Sequence, residues 1–94
     1  MDKTDILNFL KENKEQLESK YHIKKIALFG SYANETQNQN SDIDILVDMP
    51  PSFDAYYELK EFLEKSFQKK VDLGLFHNVR EHLKSTIYKE IIYA

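Results

Sequence analysis

Asp42 and Asp44 are separated by one isoleucine, and DIDILVD (42–48) alternates as a β-strand does. Residues i and i+2 of a strand project from one face, so the two carboxylates stand side by side with Cα atoms roughly 6 to 7 Å apart. Like charges at that spacing repel and raise one another's pKa. A hard divalent cation such as Mg²⁺ removes this penalty, because it favours carboxylate oxygens. Gly30-Ser31 directly follows the apolar run KKIALF (24–29). A glycine there lets backbone approach a ligand closely. The serine adds a hydroxyl and an N–H at the start of a short helix, a natural anion site. The pattern is not a Walker loop, since GxxxxGK[ST] is absent. Asp72 sits between Val71 and Leu73, an acid within an apolar strand pattern. With its strand beside that of Asp42 and Asp44, three carboxylates could hold two Mg²⁺ ions, an arrangement suited to in-line phosphoryl or nucleotidyl transfer. Each part alone also has an ordinary reading: a solvated acidic strand face, a strand-ending glycine with a serine cap, an edge-strand acid. The conjunction is what singles out the site.

The elements that must position these residues follow from periodicity. Residues 5–20 read as an amphipathic helix, with Ile6, Leu10, Asn13, Leu17 and Tyr21 at helical spacing and Thr4 or Asp2 as cap. Residues 24–29 read as a strand covered on both faces, and 31–41 as a possible short helix ending in a polar loop. In 42–48, Ile43, Ile45 and Val47 share one face, and Asp42, Asp44, Leu46 and Asp48 the other. Pro50-Pro51 ends this strand. A helix over 53–67 turns Tyr56, Leu59, Phe62, Leu63 and Phe67 inward. A third strand, 70–76, places Asp72, Gly74 and Phe76 opposite Val71, Leu73 and Leu75. Asn78 and Glu81 suggest a capping box for a last helix running toward Glu90, with Leu83, Ile87 and Ile91 inward. The tail IIYA could add a short strand. This order predicts an α+β fold, a small sheet with helices packed on it.

Composition bounds the rest. The chain has 94 residues, 41% apolar and 13% aromatic, which suits one folded domain over 1–94 and excludes a disordered tail. There is no cysteine, hence no disulfide framework and no thiolate metal site. No apolar run approaches the ~18 residues of a membrane span. The N-terminus has no signal-peptide core, so the expected location is the cytoplasm. Of the two glycines, Gly30 and Gly74, each is expected where another residue would fit badly. The net charge of −3 hides an asymmetry: between Glu35 and Glu58 there are six acids and no Lys or Arg, while the remainder carries ten acids and all 13 bases. That acidic stretch argues against direct nucleic-acid binding, which needs a basic face.

Gly30-Ser31, ten residues, and then Asp42-Ile43-Asp44 on a strand resemble the signature of the DNA polymerase β-like nucleotidyltransferase superfamily. More narrowly, FGSYA (29–33), seven residues and SDIDILVD (41–48) resemble the minimal nucleotidyltransferases (MNT) of prokaryotes. The likeness continues through Lys70-Val71-Asp72-Leu73 and from Leu83 to Tyr93, nearly the whole chain. It implies a mixed β-sheet flanked by helices. It also implies that Asp42, Asp44 and Asp72 are catalytic, metal-binding carboxylates, with two Mg²⁺ ions as cofactor and ATP as substrate. Gly30 and Ser31 match the family's triphosphate-binding motif, and Asp72 would help activate the acceptor hydroxyl. The chain departs from the pattern at one point. Many members read GSxARG, whereas Asn34 and Glu35 stand here in place of Arg and Gly.

MNT proteins commonly pair with HEPN proteins in toxin–antitoxin systems. The resemblance therefore implies an antitoxin in a hetero-oligomer, which transfers AMP from ATP to a tyrosine hydroxyl of a HEPN ribonuclease. A reading of another class is a binding module that neutralises the HEPN partner by complex formation, motivated by Asn34 and Glu35. His22, His77 and His82 are too scattered to form a ligand set. Lys69-Lys70 read as solvated strand-start charges, Arg80 as a first-turn helix residue, and one of Tyr56 and Tyr57 as core.

Overall fold

The chain opens on a reciprocal cap. The Asp5 N–H donates to the Asp2 carboxylate at 3.0 Å, and the Asp2 N–H donates to the Asp5 carboxylate at 3.1 Å. This box starts α1 (Lys3–Glu12) and puts an acid in its first turn, where the helix dipole favours it. The computed structural model describes residues 1–78 and 91–94. The helix expected over 5–20 is two helices, α1 and α2 (Lys14–Tyr21), divided at Asn13. The Asn13 side-chain amide donates to the Phe9 carbonyl at 2.9 Å, beside its own backbone N–H on the same oxygen at 3.1 Å. A short amide competes with the helical ladder in this way. The apolar stripe survives the break: Ile6, Leu10, Leu17 and Tyr21 are all buried.

Next come β1 (Lys25–Phe29), α3 (Gly30–Asn34), β2 (Ile43–Asp48), α4 (Phe53–Phe67), β3 (Val71–Leu75), a 3₁₀ turn (Phe76–Asn78) and β4 (Ile92–Tyr93). The sheet order is β3-β2-β1-β4. β1 runs antiparallel to β2 and β4, and β2 runs parallel to β3, so the sheet is mixed. Among the described elements, α1, α2 and α4 join the core built on Ile43, Ile45, Val47, Val71 and Leu73, where Leu59, Leu63 and Phe67 of α4 are buried. The opposite sheet face carries a smaller cluster of Ala27, Leu46 and Phe76. This is the α+β architecture the order of elements predicts, with the mixed sheet the resemblance implies. The last expected helix lies outside the described residues except for Asn78, which falls in the 3₁₀ turn. No described helix is long and apolar enough to cross a membrane.

β3 is an edge strand, and α4 covers its outward backbone. The Val71 N–H donates to the Glu64 carboxylate at 2.9 Å, and the Tyr56 hydroxyl donates to the Leu73 carbonyl at 2.5 Å. Side chains that cap an edge in this way limit unwanted strand pairing and fix the strand's position. Here they hold the strand that carries Asp72.

Candidate active site

β2 is flanked on both sides, so register decides what stands beside Asp44. On the β3 side it is Asp72, and on the β1 side Phe29, the residue before Gly30. Asp42 is exposed and lies one residue ahead of the strand, which begins at Ile43 and not at 42 as its alternation suggests. The Ile43 N–H donates to the Lys70 carbonyl at 3.0 Å, tying the start of β2 to the start of β3. Asp44 is half-buried and Asp72 exposed.

The Asp44 carboxyl is pushed up to about 6. Burial is the first cause, followed by the negative charges of Asp72 and Asp42 and a side-chain hydrogen bond with Asp72. Both neighbouring acids thus act on the ionisation of Asp44, as the sequence spacing implies for Asp42. Among the described residues, however, no three acidic or histidine side chains converge as a ready metal-ligand set. The donors fit Mg²⁺ in kind, being hard carboxylate oxygens whose mutual repulsion a cation would relieve.

Gly30 opens α3 with φ +74°, in the left-handed region. A methyl group on it would overlap Asp44 Oδ2 and stand 2.9 Å from Asp44 Cγ. The close approach expected at this glycine therefore includes that of Asp44 itself. Ser31 follows, half-buried, in the first turn of α3. First-turn N–H groups have no partner within their own helix.

Glu35, where the chain departs from the motif it resembles, caps the C-terminus of α3 at φ +61°. That conformation suits glycine and strains other residues. Its compensation is an exposed pair with Lys3 at 3.5 Å, and such pairs contribute little. Glu35→Gly is expected to stabilise the fold by about 0.5 to 1 kcal/mol, read as a higher urea midpoint.

The other residues weighed from sequence are dispersed. The Lys69 ammonium donates to the Gln39 carbonyl at 3.0 Å. His22 caps α2 at φ +58°, and Arg80 and His82 lie outside the described residues. Tyr56 is the half-buried member of its pair, packed against the core, and Tyr57 is exposed. Sequence reasoning missed a cleft of about 600 Å³ beside β3, whose lining includes Pro51, Phe53, Tyr57, Gly74 and His77. The signal was present in the exposed-position aromatics Phe53 and Tyr57 and in the second glycine. Gly74 packs tightly, since a Cβ there would stand 3.0 Å from Leu46 Cδ2.

Comparison with known proteins converges on this motif-bearing sheet. Residues 9–94 match the family model described as Nucleotidyltransferase domain. A protein-adenylyltransferase homologue of Methanocaldococcus jannaschii is 42% identical, with 97% of this chain and 96% of that protein covered. Protein adenylyltransferase MntA of Thermococcus cleftensis is 32% identical over 96% of this chain and 93% of its own. A minimal nucleotidyltransferase structure shares the fold at TM-score 0.80 and 24% identity, covering 98% of this chain and 95% of that one. A toxin–antitoxin crystal structure with AMP-PNP matches at TM-score 0.69 and 27% identity, over 99% of this chain and 72% of the matched one. Carboxylates paired across β2 and β3, a glycine seated against one of them, and these relationships together place the chain: it belongs to the nucleotidyltransferase domain family.

Proposed function

We propose that this chain transfers AMP from ATP to a tyrosine hydroxyl of a HEPN-type partner and so acts as the antitoxin of a two-component system. The observation that carries this is the Asp44–Asp72 pairing in register, with Gly30 seated against Asp44. Similarity to a protein adenylyltransferase and to a toxin–antitoxin complex containing AMP-PNP supports the nucleotide and the kind of partner. Asp42, Asp44 and Asp72 would hold Mg²⁺, which when bound neutralises charge on the attacking and leaving oxygens.

The chain's own residues have distinct tasks. Gly30 and Ser31 present backbone and hydroxyl to the triphosphate. Asp72, itself exposed on β3, accepts the proton of the acceptor hydroxyl. The acceptor oxygen forms a bond to the α-phosphorus, the bond from that phosphorus to the bridging oxygen breaks, and pyrophosphate departs with the electron pair. The alternative, neutralisation by binding alone, draws on the carboxylates' lack of convergence among the described residues. Partner neutralisation assayed with Asp42→Asn/Asp44→Asn separates the two: loss supports transfer, and full retention supports binding alone.

A further inference from the structure

The cleft along β3 has no role in nucleotide handling as described above. We propose that it is the docking surface for the acceptor protein, taking a Lys- or Arg-bearing segment with an apolar anchor that leads the acceptor hydroxyl to Asp72. This rests on the transferase reading.

The order of strands gives the direction of approach. Gly30-Ser31 lies on the β1 side of Asp44, and Asp72 on the β3 side. In-line displacement puts the leaving pyrophosphate and the attacking oxygen on opposite sides of the phosphorus. With the pyrophosphate end at Gly30-Ser31, the acceptor enters from β3. Gly74 shares the sheet face of Asp72, about 6 to 7 Å further along the strand, and lines the cleft. The cleft therefore opens beside the carboxylate that takes the acceptor's proton.

The surface there is built for protein contact. Phe53 is 82% exposed and Tyr57 59% exposed. Their rings stack at 6.4 Å with an 11° interplanar angle, and Tyr56 packs edge-on to Tyr57 at 5.2 Å. Exposed aromatics already ordered against one another provide anchoring area at low entropic cost. Among the described residues the charge favours a basic segment. Among the described residues, the lining has no acidic or basic side chain apart from His77. The charged residues that flank the lining along the described chain, Asp48, Asp54, Glu58 and Asp72, are all acids, and no Lys or Arg occurs from 26 to 59.

The test is Phe53→Ala/Tyr57→Ala, at two exposed positions, with folding checked by its urea midpoint. AMP transfer is measured from Mg-ATP to the HEPN protein co-purified with this chain. The KM for the HEPN protein is expected to rise about tenfold or more, with the KM for ATP unchanged. A raised KM for ATP with an unchanged acceptor KM would overturn the proposal in favour of nucleobase stacking, and no change in either would overturn it outright. A second arm measures HEPN affinity by calorimetry in the Asp44→Asn background. If the wild-type chain transfers no AMP but affinity falls with the double variant, the docking surface stands and the transferase reading fails. If transfer proceeds and neither acceptor KM nor affinity moves, the transferase reading stands and the docking surface fails.

Discussion

Asp44→Asn is expected to lower AMP transfer by roughly a thousandfold and, above pH 6, to make the fold more stable. The loss follows from Asp44 being the one carboxylate placed against both Asp72 and Gly30. Removing about 4 kcal/mol of charge stabilisation at the reacting phosphate gives that factor. The gain follows from the raised pKa. In the folded chain Asp44 titrates near 6, against 3.8 when free of its neighbours. Between those values the folded state binds more protons than the unfolded state, so the wild type loses stability as pH rises through that window. Above pH 6 the whole cost is present; below 3.8 it vanishes. A two-unit shift corresponds to about 3 kcal/mol, and solvent access to this half-buried group screens it to about 1 kcal/mol. Urea midpoints of wild type and Asp44→Asn are therefore expected to diverge by that amount at pH 7.5 and to coincide near pH 3.5.

Gly30→Ala is expected to lower both activity and stability. The added methyl overlaps Asp44 Oδ2, and the backbone at φ +74° is costly for alanine. The strain amounts to about 1 to 2 kcal/mol. Displacing Asp44 by a fraction of its length is expected to slow transfer roughly a hundredfold, because catalytic geometry tolerates little misplacement. The contrast with Asp44→Asn is diagnostic, since one variant gains stability and the other loses it. A double-mutant cycle with Asp44→Ala separates steric conflict from backbone strain: truncating Asp44 relieves the former and leaves the latter. Non-additive urea midpoints are expected.

Much of this arrangement is legible in the sequence where one residue pattern has one structural solution. The alternation of Ile43, Ile45 and Val47 fixes the buried face of β2, and hence the face of Asp44. The run IALF (26–29) ends at Gly30 because the helix begins there. A small sheet with helices packed on it follows from the order of elements, whereas its mixed strand directions are legible only through the family resemblance. What is not legible depends on contacts between distant residues. The break at Asn13 arises from a side-chain bond to Phe9 that helical periodicity does not register. The seat of Asp44 on Gly30 needs the antiparallel register of Phe29 with Asp44. The edge of β3 is covered by Tyr56 from 17 residues away, and the aromatic cleft exists only once α4 is laid against that strand. Glu35 is legible as a departure from the motif, but its left-handed geometry is a property of the folded cap.

Whether Asp42 and Asp44 drive AMP transfer to a partner protein is read in the intact mass of the HEPN partner after co-expression with the wild-type chain or with Asp42→Asn/Asp44→Asn. A gain of one or more AMP units is expected with wild type and none with the variant. An unmodified partner beside the wild-type chain, or an equal gain beside the variant, would contradict that role.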